Sequence, residues 1–343
     1  MFITNAWYVG AWADELGAKP VARRICNEPI VFYRDAQGRA SALADFCCHR
    51  GAPLSCGTVI EAGLECGYHG MVYGRDGAVV VIPGQDHIPS KARVRSYPVV
   101  VKDGMVWIWM GAAADADPNG IMDYPYNTDP AWPSKHAVYH VKGNSMLLVD
   151  NLMDLSHLAY VHLSTIGGNP QAQINAVMDE ESTEKGLKFT RWLLDSTPPP
   201  TFQKRIPFRG NVDRWGEFDY IAPASIAQWG GAVDVNTGAR DRNKREGGFQ
   251  FHIFHGLTPE TESTSLYFWS VANGHQRDDP SATEELFNEL SIAFNEDIAI
   301  IEKQQQRLTE FGESGLVGMR NDGARIHMRR IVDELAKREP AGV

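Results

Sequence analysis

The sequence predicts an α+β chain in two parts: an all-β domain over residues 1–115, and a second domain over 116–343 in which antiparallel strands precede a long C-terminal helix. Three observations predict it. Up to Met110 the apolar residues come in short runs broken by Gly and Asp turns, the pattern of small sheets. Ala112 to Pro118 is a loop of Ala, Asp and Pro, which places the boundary. Ser281 to Leu308 has helical periodicity and few breakers, and it follows strand-like runs between 185 and 275.

In order, Pro29 to Arg34 is a short apolar run closed by the turn Asp35-Ala36-Gln37-Gly38. Ala40 to Phe46 and Met71 to Tyr73 flank a Cys- and His-bearing stretch. Arg75-Asp76-Gly77 turns the chain into Ala78 to Ile82. Arg95 to Val101 and Met105 to Met110 make a hairpin across Lys102-Asp103-Gly104. In the second domain the strand runs are Lys188 to Leu194, Trp215 to Ile221, Ser225 to Trp229, Gly248 to Leu257 and Ser265 to Ala272. Many carry aromatic residues, which dominate cores by area. Pro198-Pro199-Pro200 and Arg240 to Gly248 read as loops, the basic one as a solvated turn.

Two stretches carry chemistry. The first is Cys47-Cys48-His49-Arg50, answered by Cys66-Gly67-Tyr68-His69. Two thiolates and two imidazoles are the ligand set of a Rieske [2Fe–2S] centre, in which the two Cys hold one iron and the two His the other. A structural zinc site also takes Cys₂His₂, but its loops usually pair like with like. Here each loop supplies one of each, and a diiron cluster needs that mixture because each loop must reach both irons. Gly51 and Gly70 follow the loops, where a tight backbone can approach the cluster. A Cys47–Cys66 disulfide is a third reading and leaves the paired histidines without a role.

The second stretch runs from Leu147 to His162. Leu148, Leu152, Leu155 and Ala159 follow helical spacing, so it reads as a buried helix. Asp154, His157 and His162 lie within it, and burying them costs free energy unless they are paired or bind a metal. Two histidines and one carboxylate make the facial triad of a non-haem Fe(II) oxygenase. The alternative is a pair of hydrogen-bonded core histidines. The five-residue step from His157 to His162 departs from one helix face, so the second His belongs where the helix distorts or ends. The remaining ligand must come from elsewhere. Leu286, Leu290, Ala293, Asp297 and Ile301 form one continuous helical stripe, and a carboxylate on it is anomalous. Asp297 is therefore the third iron ligand, while Glu284, Glu285, Glu289 and Glu296 read as the solvated side.

Composition bounds the rest. The 343 residues suffice for two domains, and the five cysteines are too few for a disulfide scaffold. No apolar run approaches the roughly 20 residues of a membrane span, and the N-terminus has no secretory signal pattern. The expected compartment is the cytoplasm, with no membrane partner. A net charge of −10 argues against a nucleic-acid surface. No Gly-x-Gly-x-x-Gly fingerprint for NAD or flavin stands between a strand and a helix.

The segment Cys47 to Ser55 with Cys66-Gly67-Tyr68-His69-Gly70 resembles the cluster loops of Rieske non-haem iron oxygenases, and Asn151-x₂-Asp154-x₂-His157-x₄-His162 is similar to their iron motif. Asn5-Ala6-Trp7-Tyr8-Val9 and Ile25 to Tyr33 are similar to the vanillate O-demethylase branch. Ile82-Pro83-Gly84-Gln85 and Val106 to Gly111 resemble an arylsulfonate methyl monooxygenase, and His255 to Glu260 a chlorinated methoxybenzoate demethylase. Cys48 departs from the pattern, which usually has Pro there. The resemblance implies a helix-grip second domain, a sheet wrapped round the C-terminal helix with a pocket beside the iron. It implies a Rieske cluster on Cys47, His49, Cys66 and His69 and a mononuclear Fe(II) on His157, His162 and Asp297. It also implies a head-to-tail homotrimer in which Asp154 bridges His157 to a cluster histidine, His69 or His49, of a neighbouring subunit. Asn151, Gln228, His252 and His255 are the candidates to face substrate. The implied reaction is O₂-dependent O-demethylation or methyl hydroxylation of a small aromatic acid. Electrons would come from a separate NAD(P)H-dependent reductase (flavin plus [2Fe–2S]) or a ferredoxin. From a different class, a Rieske ferredoxin-like electron carrier would need only residues 1–115.

Overall fold

The computed structural model describes residues 2–339, which form two compact units. The first runs up to Ile121 and takes in Thr258–Glu262; the second comprises Met122–Leu257 and Ser263–Arg338. The late return of Thr258–Glu262 has no local signal. It is held by backbone pairing, with Cys26 and Asn27 N–H groups donating to the carbonyls of Pro259 and Glu260 at 2.9 Å.

The first unit is all antiparallel. Its strands are β1 (Trp7–Trp12), β2 (Val21–Ile25), β3 (Glu28–Arg34), β4 (Ala40–Ala44), β5 (Thr58–Ile60), β6 (Gly63–Glu65), β7 (Val72–Tyr73), β8 (Val79–Val81), β9 (Ser96–Tyr97), β10 (Val99–Lys102) and β11 (Met105–Trp109). They form three small sheets, ordered β1-β11-β10, β2-β3-β4-β9 and β5-β6-β7-β8. One metal loop follows β4 and the other joins β6 to β7. Val31, Tyr33, Leu43, Leu54, Leu64 and Tyr73 bury beneath them in one core together with Cys47 and Cys66.

The second unit is a seven-stranded antiparallel sheet crossed by a long helix. Its strands are β12 (Ser134–Val141), β13 (Val177–Ser182), β14 (Gly186–Ser196), β15 (Val212–Ile221), β16 (Ser225–Asp234), β17 (Phe249–Pro259) and β18 (Ser265–Asn273), ordered β12-β18-β17-β16-β15-β14-β13. The edge strands interleave polar residues, β12 mostly half-buried and β13 mostly exposed, so neither shows as an apolar run in the sequence. The helices are α1 (Ser145–Met153), α2 (Leu158–Val161), α3 (Pro170–Ile174), α4 (Pro200–Gln203), α5 (Pro280–Phe311) and α6 (Gly323–Ala336). Asp279 caps α5 through its side chain, and Leu286, Leu290, Ala293, Asp297 and Ile301 are buried along it as their spacing requires. No helix among the described residues is long and apolar enough to cross a membrane.

Two local readings are corrected. Leu147 to His162 is not one helix: α1 stops at Asp154, whose extended backbone (φ −130°, ψ 100°) leads into a 3₁₀ turn over Leu155–His157. The Asp154 carboxylate accepts from the Ser156 N–H at 2.9 Å, a local bond that competes with the helix. The basic loop is not wholly solvated either. The Arg245 guanidinium lies 4.3 Å from the ring centre of Trp229, also stacks on Trp192 and Trp215, and is paired with Glu217.

Candidate active site

The two metal loops close in the same way. In the first, Cys47 N–H donates to Ala52 O and Gly51 N–H to Cys47 O, both at 2.8 Å; in the second, Cys66 N–H donates to Met71 O at 2.8 Å and Gly70 N–H to Cys66 O at 3.0 Å. Gly51 and Gly70 have φ of +74° and +72°, a left-handed turn that a side chain would strain. The result is a matched pair of loops. Cys47 and Cys66 are buried free thiols, so no disulfide joins them, and the exposed rings of His49 and His69 lie 4.6 Å apart. Thiols inside and imidazoles at the rim suit a diiron cluster with its histidine-bound iron nearest solvent.

The sulfurs are also supplied with donors. The buried Tyr73 hydroxyl donates to Cys47 Sγ at 3.1 Å and accepts from the Cys48 N–H at 2.9 Å. Burial alone would raise the Cys47 thiol, but the Tyr73 hydroxyl and the His49 and Arg50 N–H groups outweigh it and lower its pKa. Burial raises Cys66, against the N–H groups of Tyr68 and His69.

The second set comes from α1, the turn after it, the end of α2 and α5. One ligand atom each from His157, His162 and Asp297 lies within 4.8 Å of the others. Asp297 Oδ1 is 3.3 Å from His157 Nε2 and 3.2 Å from His162 Nε2. His162 Nε2 is buried with no hydrogen-bond partner. An orphaned imidazole nitrogen facing a buried carboxylate fits a metal ion, and the two-histidine, one-carboxylate set fits Fe(II). Burial opposes ionisation of Asp297, yet His157 and His162 hold its carboxyl down at about 2. Burial alone would push His162 down, but Asp297 and Glu296 together outweigh it and raise its pKa.

Each ligand is oriented by a further contact. His157 Nδ1 lies 2.7 Å from the backbone carbonyl of Asp154, and His162 Nδ1 lies 2.8 Å from Glu296 Oε2. A carbonyl and a carboxylate oxygen accept, so each ring can donate from Nδ1, which leaves Nε2 free to hold a metal ion when one is bound. Asn151 Nδ2 donates to Asp297 Oδ1 at 3.1 Å.

Beside this triad lies a cavity. Its lining takes in Asn151, His157 and Asp297, the rings of Phe202, Phe251 and Phe294 as apolar wall, and Gln228, Arg191 and Arg214 as polar groups from the sheet.

The candidate residues are thus sorted. His157, His162, Asp297 and Asn151 converge, and Asn151 and Gln228 face the cavity. His252 does not: Phe251 and Ile253 point inward, so strand alternation turns His252 to the other face, stacked 3.7 Å from Tyr126 and 5.8 Å from Trp229 between ring centres. His255 is fully buried behind Gln228, 3.3 Å from its Oε1 and 2.7 Å from the Tyr267 hydroxyl, and contributes nothing to the cavity lining. Burial pushes both histidines down to about 3, so both are neutral. Asp154 meets His157 through its carbonyl rather than its carboxylate, because the carboxylate is held by Ser156. Glu296 was expected on the solvated side of α5, yet it faces His162. Tyr73, Arg191 and Arg214 were not anticipated. A signal existed for the arginines: each takes an inward position in its strand, in phase with Phe189 and Leu193 or with Val212 and Phe218.

Comparison with known proteins agrees with this geometry. The family model for the Rieske [2Fe-2S] domain matches residues 6–98, and that for the vanillate O-demethylase oxygenase C-terminal domain matches residues 141–338. The chain is 38% identical to a putative toluene-4-sulfonate monooxygenase system iron-sulfur subunit of Comamonas testosteroni, over 100% of this chain and 99% of that one. It is 34% identical to a vanillate O-demethylase oxygenase subunit of Pseudomonas sp., over 99% and 96%. The crystal structure of dicamba monooxygenase bound to 3,6-dichlorosalicylic acid superposes with a TM-score of 0.92 at 31% identity, covering 98% of both chains, and another structure of that enzyme holds non-haem iron. With its cluster loops, its two-histidine, one-carboxylate triad and these whole-length relatives, the chain belongs to the Rieske non-haem iron oxygenases, in the vanillate O-demethylase group.

Proposed function

We propose that this chain is the terminal oxygenase of a multicomponent monooxygenase that oxidises a small aromatic acid, by O-demethylation or by hydroxylation of a ring methyl. The observation that carries this reading is the cavity, whose lining joins aromatic rings to His157 and Asp297. Bound Fe(II) would supply dioxygen activation, and the cluster one-electron delivery. The chain's own residues do the rest. Glu296 and the Asp154 carbonyl fix the imidazole tautomers, Asn151 holds the Asp297 carboxylate, and the phenyl walls exclude water and orient a ring. With a methoxy substrate, the hydroxylated methyl leaves as formaldehyde and frees a phenol; with a ring methyl, the product is an alcohol. Vanillate and toluene-4-sulfonate, named for the relatives, are the first compounds to try.

Nothing in the sequence resembles a nicotinamide or flavin site, so electrons come from a separate reductase or ferredoxin in the cytoplasm. The homotrimer, with Asp154 bridging to a neighbouring cluster histidine, belongs to the same reading. A stand-alone electron carrier leaves the second metal set and its cavity without purpose.

The test is iron and acid-labile sulfide per chain on anaerobically purified protein, with EPR after dithionite. About three irons and two sulfides with a Rieske-type signal are expected. Two irons that no added Fe(II) supplements would favour the carrier, and zinc without sulfide would end the oxygenase reading.

A further inference from the structure

Arg191 and Arg214 are buried, 4% and 7% exposed, and both line the cavity beside the iron ligands. Other shielded guanidiniums of this unit meet carboxylates: Arg205 pairs with Glu285 and Glu289, Arg245 with Glu217, and Arg329 with Asp150. Arg191 and Arg214 have no carboxylate within ion-pair distance among the described residues. Arg191 donates to Gln173 Oε1 at 2.5 Å and to Gln173 O at 2.7 Å, and Arg214 donates to Ile166 O and Gly167 O at 3.1 Å. Those contacts use two of five N–H donors on each and neutralise neither charge. The countercharge that Arg191 feels is the Asp154 carboxylate, which is already committed to Ser156. Burial lowers Arg191 to about 10; Arg214 falls to about 9 through burial and then repulsion from Arg191. Two neighbouring buried cations without a fixed anion are costly unless an anion arrives.

The strand register shows where that anion would sit. Arg191 pairs with Gly216, Gly216 with Gly230, and Gly230 with Phe251, one row running across four strands. Arg214 pairs with Leu193, which puts it diagonally next to Arg191 on the same face. From Phe251 to Arg191 the row spans about 14 Å at the usual strand spacing. Its middle two positions are glycines that line the cavity. A ring laid beside Phe251 would reach Arg191 and Arg214 with a substituent on its far side.

We propose that Arg191 and Arg214 form an oxyanion subsite that holds the carboxylate or sulfonate of the substrate at the end of the cavity; this deepens the oxygenase reading and rests on it. Four other residues lining the cavity bring polar side chains that serve elsewhere: Asn151, His157 and Asp297 at the iron site, and Gln228 against His255.

The test is calorimetric binding to the iron-loaded holoprotein. The probes are methyl- and methoxy-substituted benzoates and benzenesulfonates, each matched with its neutral carboxamide or sulfonamide. The wild type should bind acids at least tenfold tighter than their neutral partners. Arg191→Gln and Arg214→Gln should each weaken acids by about a hundredfold, while neutral partners change less than threefold. Arg→Lys at either site should restore part of the preference. Tighter binding of the carboxylate or the sulfonate series identifies the head group. Equal losses for acid and neutral partner would show that the arginines only anchor the 166–173 loop. No preference for acids in the wild type would also overturn the subsite. Iron content of the same samples separates the two claims: protein without the non-cluster iron sinks the oxygenase reading, whatever the anion preference.

Discussion

At the first centre, the cluster ligands and the groups that support them lie between Cys47 and Tyr73, on two loops closed by the same backbone bonds. At the second, the carboxylate lies 146 residues beyond the asparagine that holds it, and Glu296 lies 134 residues beyond the histidine it orients. The first is a local object. Its geometry follows from tight loops on short strands, and backbone N–H groups supply much of its tuning. The second exists only when α5 lies against the turn that follows α1. A change at the first should therefore act on cluster properties, and a change at the second on iron retention and substrate handling.

The largest effect that sharpens this contrast is expected from Asp297→Ala. It should abolish turnover and remove the non-cluster iron, while the Rieske EPR signal persists; loss of both metals would show that the centres are not built independently. Asp154→Asn comes next. Asn can still cap Ser156, so both metals should remain while most turnover is lost if the carboxylate bridges to a neighbouring cluster. Near-full activity would remove Asp154 from the electron path. Glu296→Gln should keep the fold and reduce iron affinity or turnover by about 10–100-fold, because His162 loses the carboxylate that fixes its tautomer. Iron titration of the apo-protein checks it, and unchanged affinity would make Glu296 a bystander. The smallest effect belongs to the first centre. Tyr73→Phe removes the hydroxyl donor to Cys47 Sγ, so the cluster potential should fall with no change in iron content. A potential that stays put in a redox titration would assign Tyr73 to packing alone.

The cluster loops were legible in the sequence because their ligands sit at fixed short spacings and their glycines must take positive φ. The strands with alternating apolar residues and the buried stripe of α5 were legible for the same reason, since period is a local property. Asp297 could be picked out as a carboxylate on an apolar face. Glu296, one residue earlier, could not, because at the helix flank a glutamate can face solvent or a neighbour, and only the position of His162 decides which. His252 shows the same limit in a strand. Its type suggested a pocket residue, but the register of β17 turned it away while Phe251 and Ile253 took the inward places. What the sequence determined on its own is the pair of candidate metal-binding motifs and the class of chain that carries them. The tertiary structure alone decided which polar side chains share the cavity, because Arg191, Arg214 and Gln228 become neighbours only through pairing between strands, and no local spacing encodes which strands pair.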